Sequence, residues 1–166
     1  MSVYVVDSNF FIQAHRMYYP LDVVFSFWEK VKQLADAGKI ISIDKVKQEI
    51  YQNEDALKTW CEDNLPPEFF KDTMPVIASY LNIIAWAATK SNHYTQNAIA
   101  EFLEADEADA WIIAFAHAEI NDRIIVTYEI SDPQRKKRIK IPDVCIAHGI
   151  ECIDTIGMFR KLGERF

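Results

Sequence analysis

Val3-Tyr4-Val5-Val6-Asp7-Ser8-Asn9 is the stretch on which the fold turns. Its first four residues are apolar on both faces and mostly β-branched, the pattern of a strand buried between helix layers. Similar short runs recur at Ile40–Ile43, at 124–127 and, in a weaker form, at 150–153. Between the first two lies 21–37, where Val24, Phe27, Trp28, Val31, Leu34 and Ala35 repeat at helical spacing and Gly38 supplies a stop. Strand, helix and strand in that order make a right-handed βαβ unit, so the strands are expected to run parallel. Further helices are predicted from Asp44, as an N-cap, through Gln52, over 53–64 up to the Pro66-Pro67 break, and over 75–89, 95–103 and 107–120. The result is an α/β sandwich with a long helical insertion before the strand at 124.

Composition sets the limits around this core. The chain has 166 residues, half of them apolar and 26% charged, which suits one soluble domain spanning 1–166 and excludes a disordered chain. With only 4 Gly and 6 Pro, a loop-rich or collagenous protein is excluded as well. Acids outnumber bases 25 to 18, so no global positive field draws the protein to nucleic acid or to an anionic membrane. The basic charge is local instead: Arg135, Lys136, Lys137, Arg138 and Lys140 fall within six positions. Cys61, Cys145 and Cys152 form no CxxC pair, and the N-terminus enters a strand without a cationic leader, so a cytoplasmic protein is expected. The longest apolar stretch, 74–89, is interrupted by Pro75, Ser79 and Asn82 and falls short of the ~20 residues that span a bilayer. No membrane association is expected.

The acids carry the functional signal. Asp7 ends the first strand and Glu129 follows the strand at 124–127, so both stand at carboxyl ends, the edge where open parallel sheets bind ligands. Glu49 lies in the second turn of the helix leaving Ile43, roughly 8 Å along the axis from that edge. Asp109 opens the helix that feeds the strand at 124 and so starts near the same edge. Asp7, Glu49, Asp109 and Glu129 therefore converge by topology. Carboxylates so gathered repel one another unless a cation joins them, and hard oxygen donors favour Mg²⁺ or Mn²⁺. Such an ion activates water and offsets charge on a phosphoryl group, which is the chemistry of nucleases.

Asp7-Ser8-Asn9 after a strand, Glu49 on a helix, Asp109-Ala110-Trp111-Ile112-Ile113-Ala114 opening a helix and Val126-Thr127-Tyr128-Glu129 after a strand resemble, in order, the four motifs of the PIN domain (PilT N-terminus) family of metal-dependent ribonucleases. The resemblance covers nearly the whole chain. It implies a three-layer α/β/α sandwich with a central, mainly parallel sheet of four or five strands, and a Mg²⁺- or Mn²⁺-dependent endoribonuclease. Such enzymes are often the toxin of a toxin-antitoxin pair and commonly dimeric, so RNA, a cognate antitoxin and a second copy are the implied partners. By motif position Asp7, Asp109 and Glu129 would hold metal, Glu49 would be the helix acid, and Ser8, Asn9 and Thr127 would support them. The last family position is usually Asp, and the extra methylene of Glu129 moves its carboxylate by about 1.5 Å. Asp132 or Asp143 is therefore an alternative fourth acid, as Asp106, one turn before Asp109, is to Asp109.

Each residue also has a plainer role. Asp7 could simply cap the next helix, Glu49 be a solvated helix acid, and Asp109 answer the helix dipole. The basic run is either a solvated loop or an RNA phosphate contact, and the tryptophans at 28, 60, 86 and 111 sit at core spacing. Met17-Tyr18-Tyr19-Pro20 offers a surface for a partner or a base, and Phe10-Phe11-Ile12 with Tyr18-Tyr19 a dimer seam. Neither His spacing nor any GxGxxG, GxxxxGK[ST] or GxSxG motif points elsewhere. The competing readings are a non-catalytic PIN-like protein- or RNA-binding module and a haloacid dehalogenase-type phosphatase, which wants a second Asp where Asn9 stands.

Overall fold

Val3 to Val6 fold as the buried strand their pattern predicts, and the computed structural model describes residues 2–166 around it. Five strands, β1 (Val3–Val6), β2 (Ile40–Ile43), β3 (Phe70–Lys71), β4 (Arg123–Val126) and β5 (Cys152–Ile153), form one sheet in the order β3-β2-β1-β4-β5. Every neighbouring pair is parallel, with Tyr4 opposite Ile40 on one side and Ile124 on the other. Nine α-helices flank the sheet among the described residues: α1 (Ser8–Gln13), α2 (Phe25–Asp36), α3 (Asp44–Tyr51), α4 (Ala56–Asn64), α5 (Ile77–Ala88), α6 (Gln96–Phe102), α7 (Ala108–Ala118), α8 (Ile141–His148) and α9 (Thr155–Leu162). The architecture is a three-layer α/β/α sandwich on an all-parallel sheet.

The strand order fixes where a ligand can enter. From β1 the chain moves outward through β2 to β3, then crosses back to β4 on the other side of β1. Loops leaving β1 and β4 thus diverge, and the crevice between their carboxyl ends is the switch point at which such sheets bind ligands. Ser42 braces this edge from β2, its buried hydroxyl donating to the Val6 carbonyl at 2.6 Å.

Several boundaries differ from the sequence expectation for identifiable reasons. α2 begins at Phe25 because Val23 and Val24 donate to the Pro20 carbonyl and close a turn first. Asp44 lies inside α3 and caps nothing there; its carboxylate accepts from Lys45 N and from Thr73 Oγ1, tying α3 to the segment after β3. α4 starts only at Ala56, capped by Asp55, and a 3₁₀ turn over Met74–Val76 precedes α5. Part of the expected dimer seam is corrected: Phe10 and Phe11 are wholly buried, Phe10 against Phe27 and Phe11 against Phe69, so they belong to the core and cannot face a second copy, whereas Tyr18 is exposed. α7 is the central helix, buried from Ala110 to Ala116 and packed between α5, α8, α3 and β4. No described helix is long and apolar enough to cross a membrane.

Candidate functional site

Asp7 is the first residue beyond β1 and the N-cap of α1. Its extended backbone turns the carboxylate back on the helix, where Oδ1 accepts from Phe10 N at 3.0 Å, while Oδ2 accepts from Thr127 Oγ1 at 2.6 Å. One side chain thus both caps α1 and reaches across to the β4 side. Asp7 is 3% exposed. Burial pushes its carboxyl from 3.8 up to about 7, the hydrogen bonds from Thr127 and Phe10 pull it back, and the charges of Glu129 and Glu49 raise it further.

Thr127 links Asp7 to the β4 side. Its oxygen donates to Asp7 and accepts from Glu129 N at 3.1 Å, which orients the residue two positions on. Glu129 then folds inward: Oε2 accepts from Ile141 N, the first residue of α8, at 2.8 Å, and Oε1 accepts from Arg138 Nη2 at 3.0 Å. Asp109, in the first turn of α7, is the third acid and accepts from the same Arg138 nitrogen at 3.4 Å. Its carboxyl is raised well above the usual range, first by burial and then by Glu129, Glu107 and Asp7, with Arg138 opposing. Asp7, Asp109 and Glu129 therefore share one edge, as the topology predicts.

Glu49 lies half-buried on α3, close enough to raise both Asp7 and Glu107. Ser8 is buried and Asn9 half-buried in the first turn of α1, and of the three supporting residues Thr127 makes the direct bond to Asp7. The second-tier acids part from the group. Asp106 is exposed in the turn before α7. Asp143 accepts from Ser131 Oγ at 2.6 Å and from Asp132 N at 3.1 Å, closing the loop between β4 and α8. Glu129, and neither of those two, is the loop acid that acts on both buried aspartates.

Arg138 is what sequence reading misses. In a run of cations it reads as one more phosphate contact, yet it bridges Asp109 and Glu129, with Glu101 3.9 Å away. Burial works against its charge, and the two acids more than offset that. The one available signal is its neighbourhood: Ile139 and Ile141 are buried, which pulls this end of the loop inward. Arg135, Lys136 and Lys137 remain exposed, and Lys140 Nζ donates to the Ile130 carbonyl at 3.3 Å. The tryptophans pack as their spacing predicts, Trp28 and Trp111 buried and Trp60 and Trp86 half-buried.

Among the described residues no three His, Cys, Asp or Glu side chains are placed so that they could hold a metal ion together. In kind the donors are those a hard divalent cation takes: three enclosed carboxylates, Asp7 raised toward neutrality by burial, Glu129 and Glu49, Asp109 raised by burial, Glu129, Glu107 and Asp7, with a single guanidinium between Asp109 and Glu129. Asp7, Asp109 and Glu129 are the residues that would hold such an ion.

No curated protein matches the sequence significantly. A family described as a domain of unknown function, DUF4411, matches residues 4–166, nearly the whole chain. The chain belongs to the DUF4411 family.

Proposed function

We propose that the protein is a Mg²⁺- or Mn²⁺-dependent endoribonuclease of the PIN type. The observation that carries this reading is the burial of Asp7 and Asp109 within the field of Glu129, which raises both carboxyls, at the switch point of a parallel sheet. Enclosed carboxylates of like charge are costly, and a site that retains them is best explained by a cation they serve. When bound, that ion would lower the pKa of a water and offset charge on the scissile phosphate. The chain's own residues prepare for this. Phe10 N and Thr127 Oγ1 lock the Asp7 carboxylate, the first turn of α7 presents Asp109, and the amides of Glu129 and Ile141 fix Glu129 from both ends. Arg138, two-fifths exposed, reaches the acids and can pair with an RNA phosphate. The three free cysteines support a reducing, cytosolic setting.

Purified protein with Mn²⁺ should cleave single-stranded RNA, and Asp7→Asn should slow cleavage more than about 100-fold while the fold is kept. Equal rates for the variant and the native chain would reject the mechanism.

A second reading, a PIN-like binding module without catalysis, is favoured by one observation: Arg138 already neutralises Asp109 and Glu129. Thermal melting separates the two. Under the nuclease reading Mn²⁺ raises the melting temperature of the native chain and leaves that of Asp7→Asn unmoved. A chain that neither gains stability with Mn²⁺ nor cuts RNA is the module.

A further inference from the structure

Thr127 and Glu129 belong to two sites at once. They also line a cavity of about 540 Å³ that runs along the carboxyl ends of β4 and β5 and reaches α8 and the start of α9. Its walls are largely apolar, with Ile146, Ile150, Ile153 and Ile156 among them. At its edge Tyr18, half-exposed on the π-helical turn after α1, stacks on Tyr128 with ring centroids 5.1 Å apart and planes 17° from parallel. Two residues that line it, Tyr128 and Thr155, carry hydroxyls that are buried without a well-formed hydrogen bond. They lie near enough for Thr155 to ease the Tyr128 hydroxyl against its burial. Thr155 is 1% exposed. Buried hydroxyls are normally satisfied, so the polarity of these two has capacity left for a ligand.

We propose that this cavity binds one unpaired nucleobase of the RNA strand, stacked against the Tyr18-Tyr128 pair, its polar edge read by the Tyr128 and Thr155 hydroxyls. The inference rests on RNA being what the acid cluster acts on. Three features select a base over other ligands. No Lys, Arg or His lines the cavity among the described residues, while Glu129 and Asp154 do, so a phosphate or carboxylate is repelled and a neutral ring is admitted. An aromatic face paired with edge-reading hydroxyls is how proteins hold splayed-out bases, since each hydroxyl both donates and accepts. Because Thr127 bonds Asp7 and also lines the cavity, the bound base belongs to a nucleotide next to the phosphate at the acids. The site is thus a specificity pocket for the cleavage position.

The test uses the full chain carrying Asp7→Asn, in EDTA, so that binding is read without cleavage. The probes are fluorescent hexanucleotides of adenine, cytosine or uracil and an abasic ribose-phosphate hexamer of equal charge. One base should bind at least about fivefold tighter than the abasic strand, and Tyr18→Ala should remove most of that gain, as loss of a stacking platform does. Tyr128→Phe and Thr155→Val should compress the differences among the three bases to within about twofold. Each variant is melted as well. Removing the under-used oxygen of Tyr128 should leave the free protein as stable or more so, whereas a structural hydroxyl would cost stability and leave base preference alone. Equal affinity for all four probes overturns the inference even if the native chain cuts RNA. Base preference in a chain that never cuts RNA leaves the pocket standing and removes the nuclease.

Discussion

Asp7 does two jobs with one carboxylate, and they pull in opposite directions. As the cap of α1 it accepts from Phe10 N, and as part of the acid edge it is buried beside Asp109 and Glu129. A carboxyl lifted from 3.8 to about 7 is held mainly neutral below that pH in the folded chain and ionised in the unfolded one. Its contribution to stability is therefore complete below about pH 4 and is lost as pH rises through about 7, the reverse of a salt-bridged acid. A shift of about three pH units corresponds to about 4 kcal/mol, a large share of the 5–15 kcal/mol that holds a domain folded. Asp109 is raised as well and adds in the same sense. Metal-free protein should therefore melt lower at pH 8 than at pH 5. Asp7→Asn should melt higher than the native chain at pH 8, by less than the full 4 kcal/mol or so, because the nitrogen of the new amide cannot accept the Thr127 proton. The advantage should vanish near pH 4. Melting curves across that range check both, and a native chain whose stability is flat from pH 4 to 8 would show that Asp7 is not held in this way.

At the scale of elements, the segment between β4 and α8 is the working part. Glu129 anchors it to the start of α8, Asp143 binds Ser131 and Asp132, and Thr95 N donates to the Lys136 carbonyl from the cap of α6. Asp143 is thus a loop fastener, and Asp143→Ala should cost about 1 kcal/mol, speed amide exchange over 129–140 and slow RNA cleavage less than tenfold. Glu129→Ala should be far more damaging to cleavage. Equal losses would return Asp143 to the catalytic group. The same segment marks where the sequence stops being legible. Strands β1, β2 and β4 declare themselves because both faces are apolar, and once their order is known the carboxyl-end positions of Asp7, Asp109 and Glu129 follow. β3 escapes because Phe70 and Lys71 pair for only two residues, too few to show a period, and α8 and α9 escape because eight residues, opened by Ile141-Pro142 or capped by Asp154, give too little repeat. Arg138 escapes for a different reason: a cation among cations reads alike whether it faces solvent or acid. Tyr128 and Thr155 are hidden in the same sense, since an unsatisfied hydroxyl exists only in three dimensions.

For the molecule as a whole the difficulty is electrostatic. A net charge of −7 repels RNA, and the crevice itself is lined by acids. Approach is best served by cations near the acids in the chain, and the exposed Arg135, Lys136 and Lys137 lie on the loop that joins Glu129 to α8. Their exposure is not looseness, because Arg135 N bonds the Asp132 carbonyl and Lys136 is pinned to α6. Under the proposed nuclease reading, a fixed cationic loop joined to the acidic crevice would draw the backbone in while the acids repel any wrongly placed phosphate. If each of these three side chains neutralises one phosphate of a single strand, replacing all three by Ala should flatten the slope of log affinity against log salt by about 2, and weaken binding most at low salt. The melting temperature should barely move, since exposed cations contribute little to folding. Anisotropy titrations of Asp7→Asn between about 50 and 300 mM salt, with and without the triple replacement, measure that slope. An unchanged slope would mean that Arg138 alone meets the strand, and that RNA approaches this edge against the field of the molecule.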